Sequence, residues 1–240
     1  MRQGERAITF AAMCGRYVLT SPLEAVHELF DVPERPNLGA RYNIAPSQEV
    51  PIVRLTRDGA GRELALVRWG LIPHWAKDPS IGNRMINARV EGVASKPAFR
   101  DPFRRRRCLV PADGFYEWRK DGRKRQPYLI RLKEGGLLAF AGLWDIWRDP
   151  EGQSIHSCTI ITGPPNELVA PLHDRMPVIL GRDDHQRWLA ADPEEAGTLL
   201  RPCPSDWLEC FPVSPRVGSP ANDDPELVRP LPPASGDLFA

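Results

Sequence analysis

Twenty-six prolines punctuate this 240-residue chain, from Pro22 to Pro233. Each holds its own φ near −65° and withholds a backbone N–H, so each ends or bends a helix. Such a chain favours loops and short strands over long helices. The apolar patterning agrees. Segments 49–55 (EVPIVRL) and 63–72 (ELALVRWGLI) read as strands around the turn TRDGAGR. Segments 107–120 and 126–132 read as a β-hairpin closed by DGRKR, and 137–147 with 156–163 as a further strand pair. Helices are expected at 21–32, with Ser21 as cap and Pro22 in the first turn, and shortly after Ala88. Others are expected at 165–172, 183–190 and 192–200, the last two capped by aspartates, with a short strand at 176–180. Strands dominate and no βαβ alternation appears. The expected fold is α+β, a single compact domain around a twisted, barrel-like antiparallel sheet with peripheral helices.

Thirty-two basic against 31 acidic residues leave a net charge of +1, so any nucleic-acid contact must come from a local patch. The five cysteines, at 14, 108, 158, 203 and 210, are odd in number and form no CxxC pair. A disulfide framework or zinc cluster is not expected, and a reducing compartment is the default. No cofactor or metal is expected. No stretch approaches the ~20 apolar residues of a membrane helix, and AITFAAMC is too short for a secretion signal. The last 20 residues carry four acids against one base and are expected to form a peripheral, acidic, Pro-containing tail from residue 221.

Several residues can carry chemistry, each with a plainer alternative. Cys14 follows Met13 and precedes Gly15. With Met13 removed it would bear both a thiol and an α-amine whose pKa lies near 7.7–8.0. That 1,2-aminothiol can condense with an aldehyde, or the amine can serve as base for its own thiol. Otherwise Cys14 is a small buried hydrophobe. Asn87 and Arg89 lie two apart and share a face if the segment is extended, which suits a sugar or phosphate; alone they also read as a turn asparagine and a surface arginine. Glu117, between Tyr116 and Trp118, either enters a partly apolar pocket that raises its pKa or faces solvent opposite two core aromatics. His173 sits in a loop flanked by Asp174 and Arg175, as a catalytic or a structural histidine. Residues 84–107 hold eight Lys or Arg against two acids, just after WGLIPHWAKD. That composition fits a single-strand nucleic-acid groove or a solvated charged face.

In this order, MCGRY, RYNIAPSQ, WGLIPHWAKD, INARVEG, RRRRCLVPADGFYEW, FAGLW and CTIITGPPNELVAPLHDRMPVIL resemble the SRAP family of SOS-response-associated peptidases. The resemblance runs from Met13 to about Val213 and implies a domain over residues 13–220. It implies a sensor that shields abasic sites in single-stranded DNA by a covalent thiazolidine crosslink. Carried onto this chain, the cysteine is Cys14, exposed by Met13 removal. Asn87 holds the sugar, Glu117 is the acid/base, and His173 assists Schiff-base formation and reversal. Arg16 and Arg89 contact phosphates, and Trp75 and Met85 contact bases beside the lesion. The implied partner is abasic single-stranded DNA at replication forks, met by a monomer in the cytoplasm and associated with the nucleoid. Lyase-like chemistry, with self-processing after Met13, is the implied activity.

Residues 1–12 match nothing in the family. Left in place, they turn the Cys14 amine into an amide, which cannot form a Schiff base. The expectation is that they are absent from the working protein, either because translation starts at Met13, the favoured explanation, or because the extension is cleaved. Two other classes compete: a cysteine peptidase or N-terminal-nucleophile hydrolase, and a single-strand binder without a covalent step.

Overall fold

The computed structural model describes residues 14–33, 38–122 and 124–232. The expectation for residues 1–12 therefore lies outside the described residues. In chain order the elements are β1 (Tyr17–Leu19), α1 (Leu23–Phe30), β2 (Arg41–Ile44), β3 (Glu49–Leu55), β4 (Arg62–Trp69) and β5 (Asn87–Arg89). Next come α2 (Arg100–Arg105), β6 (Arg107–Ala112), β7 (Gly114–Asp121), β8 (Lys124–Leu132), β9 (Leu138–Arg148) and β10 (Ser154–Gly163). The chain continues through β11 (Met176–Pro177), α3 (Asp184–Ala190), α4 (Pro193–Thr198) and β12 (Leu208–Pro212).

Two sheets form. One runs β12-β8-β7-β1-β2. In the other, β10-β4-β3-β6-β9 closes into a ring because β9 also pairs with β10. The fold is α+β with a barrel-like sheet, as the sequence implies. The sheet is mixed, however: β10 runs parallel to both β4 and β5. Residues 70–86 join β4 to β5, and α2 with β6 to β9 intervene before β10, so neither parallel pair is a βαβ unit.

Period-two alternation sorts the side chains into layers. Ile52, Val67, Trp69, Cys108, Val110, Phe140, Cys158 and Ile160 meet Tyr17, Ile44, Phe115 and Ile130 from the five-stranded sheet in one apolar layer. Tyr17 packs edge-on against Trp69 and Phe140. Val53, Leu109, Ala141, Leu143 and Ile161 project the other way, against Phe30, Phe103 and Trp188. Arg107, the last of the RRRR run, is buried and donates to the carbonyls of Phe103, Trp188 and Ala191. A guanidinium there ties together carbonyls at the ends of α2 and α3.

The local corrections have local causes. Ser21 does not cap α1; its N–H and hydroxyl donate to Asp113, as do those of Thr20. Asp113 thereby ends β6, so residues 107–120 are two strands in different sheets rather than one hairpin arm. Asp192 caps α4 through the Glu195 N–H, whereas Asp183 makes no side-chain cap on α3. The helix after Ala88 is a single 3-10 turn, and an unanticipated α-helix, α2, follows it. Residues 165–172 form turns instead of a helix. Asn166 folds back there, its Oδ1 accepting from Val169 N–H and its Nδ2 donating to Cys203 O, and Pro171 withholds a donor.

The described part of the acidic tail, residues 221–232, is not peripheral, and residues 233–240 lie outside the described residues. Asp223 accepts the Tyr42 and Asn43 amides and pairs with Arg41 at 2.9 Å, while Leu227 is fully buried beside Tyr116 and Val18. Buried Asn43 donates to the carbonyls of Val217, Ser219 and Asn222. The RYN motif thus staples the C-terminal segment over β1 and β7. Asn43→Ala strands several buried carbonyls and is expected to cost about 2–4 kcal/mol. Chemical denaturation checks this, and limited proteolysis after residue 213 should accelerate in the same variant.

Candidate active site

Strand β7 places its residues alternately. Phe115 enters the apolar layer against Phe140, and Tyr116 faces the C-terminal segment. Glu117 follows Phe115 on its face and is only 1% exposed. Burial in that layer pushes the Glu117 carboxyl up to about 7, with the Asp174 charge adding to the effect. Hydrogen bonds from Cys14 act in the opposite sense. The pocket reading of Glu117 thus holds, and the solvent-facing one does not.

Strand β1 pairs with β7, Tyr17 opposite Phe115, so the residues just before β1 run past Glu117. The backbone N of Cys14 donates to Glu117 Oε1 at 2.9 Å. The Cys14 thiol is buried and lies 3.8 Å from the Arg175 carbonyl, which accepts its weak S–H bond. Burial pushes this thiol well above its ordinary range, and the neighbouring Glu117 adds to the rise. Cys14 also takes a φ of 42°, the left-handed region that costs a non-glycine residue about 1 kcal/mol or more.

The loop before β11 brings His173 to the same place. Its own N–H bonds Val169 O, and its Nδ1 accepts the Arg175 N–H at 3.0 Å. An amide donor at Nδ1 puts the neutral ring's proton on Nε2. Asp174, its side chain 86% exposed, stands 3.1 Å from the same Nδ1 and pairs with the ring only when the ring is protonated.

Glu117 and His173 line one cleft of about 610 Å³, together with Arg89, Trp118, Lys120, Arg125 and Asp174. Arg89 comes from β5, whose parallel pairing with β10 sets Asn87 beside Ile160 and Arg89 beside Thr162. Asn87 is half-buried and Arg89 exposed on that strand. The structure therefore gathers Glu117, His173 and Arg89 around one cleft, with buried Cys14 bonded to Glu117 and Asn87 two residues from Arg89.

The remaining expected contacts scatter. Trp75 is 49% exposed but does not line this cleft; it adjoins His74, which is held by buried Asp145. Met85 packs partly into the helix-side core. Arg16 spends its guanidinium on Asn43 Oδ1 (2.9 Å), Val217 O (2.7 Å) and Gly218 O (3.2 Å). Those bonds make it a tie for the C-terminal segment.

Sequence reading passed over Lys120, Arg125 and Glu91, and named Arg175 only as a neighbour of His173. Lys120 and Arg125 looked like hairpin-turn charges, yet they face the cleft. Glu91 pairs with Arg175 at 2.7 Å. Arg175 in turn serves Cys14 through its carbonyl and His173 through its amide, so Glu91 steadies both from a distance. The clue was present as a Glu in INARVEG and an Arg in LHDRMP, but nothing in their spacing pairs them. If Cys14 is the reactive group, Glu91→Ala is expected to slow its chemistry several-fold while costing about 0–1 kcal/mol of stability, as for exposed ion pairs. Single-turnover rates and melting curves on the same preparation check both halves.

Buried Glu117 can take a proton from a nitrogen at Cys14, and the cleft offers positive charge beside a histidine and an amide. This arrangement suits condensation of an amine with an anionic carbonyl compound. It suits thiolate chemistry poorly, because the thiol is held protonated.

Known proteins agree on the relationships. The profile of the SOS response associated peptidase (SRAP) family matches residues 13–220. Abasic site processing protein YoqW of Bacillus subtilis is 45% identical over 224 residues, covering 90% of this chain and 99% of that protein. Abasic site processing protein HMCES of Gallus gallus is 34% identical over 223 residues, covering 79% and 66%. A solved structure from Bacteroides thetaiotaomicron superposes with a TM-score of 0.80 at 26% identity, covering 91% of this chain and all of that one. One from Bordetella bronchiseptica gives 0.74 at 27%, covering 84% and 100%.

Proposed function

The chain belongs to the SOS response associated peptidase family, and from that premise we propose that it captures abasic sites in single-stranded DNA covalently, through Cys14 freed of Met13. The observation that carries this reading is the 2.9 Å contact between the Cys14 nitrogen and Glu117 Oε1. Relatives named for abasic site processing support the substrate class.

The chemistry follows from the groups present. A ring-opened abasic sugar carries an aldehyde at C1′. The Cys14 amine, relieved of its proton by Glu117, attacks that carbon to give a carbinolamine. Loss of water leaves an imine. The Cys14 thiol then adds to the imine carbon and its proton passes to nitrogen, closing a five-membered thiazolidine; the balance is one water released. A thiol held protonated by burial fits this order, with the amine attacking first. A carboxyl with a pKa of about 7 is suited to move protons in both directions at neutral pH. We assign His173 to proton transfer at the sugar and Asn87 to holding it. Arg89, Lys120 and Arg125 are assigned to the flanking phosphates. Arg16 acts indirectly, by fixing the C-terminal segment against β2. Trp75, exposed but outside the Glu117 cleft, is given no role at the lesion.

This chemistry requires a free amine, so residues 1–13 must be absent from the reacting chain. Removing them also removes the left-handed φ at Cys14, because a first residue has no such torsion. The test mixes protein with a 20-nucleotide strand carrying one abasic site. A heat-stable adduct whose mass equals protein plus DNA less one water supports the reading. The same adduct from a Cys14→Ala protein would falsify it.

A further inference from the structure

On the helix side of the ring lies a second, larger cleft of about 770 Å³. Its walls carry Arg54, Arg57, Arg105, Arg106 and Arg148 around Trp144, against the two carboxylates Asp58 and Glu63. A chain of net charge +1 thus concentrates an excess of positive charge in one hollow. The charge is built in: the Arg54 guanidinium stacks 4.0 Å over Trp144, on which His156 also stacks. Arg54 also pairs with Glu63, and Arg106 with buried Asp145. The side chains of Arg57, Arg105 and Arg148 make no hydrogen bond or ion pair among the described residues. His156 is held below the ordinary histidine range, first by burial and then by the Arg54 and Arg148 charges.

We propose that this cleft is a second nucleic-acid site, taking the phosphodiester backbone of the DNA strand that continues beyond the lesion. Clustered guanidiniums around an indole match the composition of strand-tracking grooves. Its position fits the same strand. Arg89 pairs beside Thr162 and Arg148 beside Ser154, eight residues apart along β10. At ~3.3 Å per residue the two sites stand roughly 26 Å apart. Two nucleotides on either side of a lesion cannot bridge that span, whereas a longer strand can.

The inference rests on DNA being the substrate, and its test separates the two. Arg57→Gln/Arg105→Gln/Arg148→Gln protein is compared with the unsubstituted protein, both beginning at Cys14, by anisotropy on an intact 20-nucleotide strand. Losing three phosphate contacts should make the slope of log K against log salt shallower by about 2 and weaken binding at low salt about tenfold or more. Crosslinking to a five-nucleotide strand with a central abasic site should proceed at an equal rate in both. An unchanged salt slope on the long strand overturns the second site. Equal losses on the five-nucleotide strand overturn it too, because the arginines would then serve the crosslinking cleft or the fold. Displacement of the long strand by micromolar nucleoside triphosphate would replace the strand with a free polyphosphate. Absence of any covalent product would instead sink the crosslinking reading, and is read independently of the slope.

Discussion

Protein whose first residue is Cys14 is expected to convert an abasic 20-nucleotide strand to a stable adduct, while protein retaining residues 1–13 yields none. The difference is all-or-none because an amide nitrogen cannot form an imine, and the nitrogen concerned is the one bonded to Glu117. Cys14→Ser at the new terminus sharpens the point. Its amine can still form the imine, but the hydroxyl closes a weaker ring, so a heat-labile adduct should appear that borohydride makes permanent. Intact mass of the protein recovered from cells, read beside the gel shift, shows which terminus the reacting molecule carries. A full adduct from the chain with residues 1–13 intact would end the aminothiol mechanism.

The second large effect is at Glu117. Glu117→Gln should slow adduct formation about 10²–10⁴-fold, the usual range for a lost general acid or base. The pH profile distinguishes this from misfolding. With its pKa at about 7, the carboxylate is the proton acceptor only above that value, so the rate should fall as pH drops through 7. The glutamine protein should lose the Glu117 contribution to that fall and keep only the one set by protonation of the Cys14 amine near 7.7–8.0.

Stability should move the other way. In the unfolded chain Glu117 ionises near its ordinary 4.5, whereas the folded protein keeps the proton until about 7. Between those values the unfolded state holds fewer protons, so stability falls as pH rises and the full cost is present above 7. Relieving it with glutamine should stabilise the protein at pH 8 by up to about 3 kcal/mol and have little effect at pH 4. A variant that is slower yet more stable at pH 8 is the expected signature. A slower and less stable one would mean that Glu117 is mainly a packing residue.

Much of the strand framework was legible. The β7–β8 part of the expected hairpin, residues 114–132, and the pair 137–163 show period-two alternation bounded by turn residues, which depends only on neighbours in sequence. What failed was competition from afar. Ser21 looked like a helix cap until Asp113 claimed its donors. Residues 165–172 looked helical until Asn166 turned toward Cys203. The acidic tail looked unanchored until Asp223 met the amides of β2. Each outcome turns on a partner more than 30 residues away.

The candidate site divides in the same way. Residue type and near neighbours raised Cys14, Asn87, Glu117 and His173 only as candidates, each beside a plainer structural reading. The motifs and their order placed the chain in its family. Only the tertiary structure decided that Glu117 is buried, that its oxygen meets a nitrogen 103 residues earlier, and that Arg16 is spent on the C-terminal segment while Arg175 serves both Cys14 and His173. The reason is physical. A carboxyl's pKa and a proton's path depend on solvent exclusion and distance, and both are set by the register of β1 against β7, which no local stretch of sequence encodes.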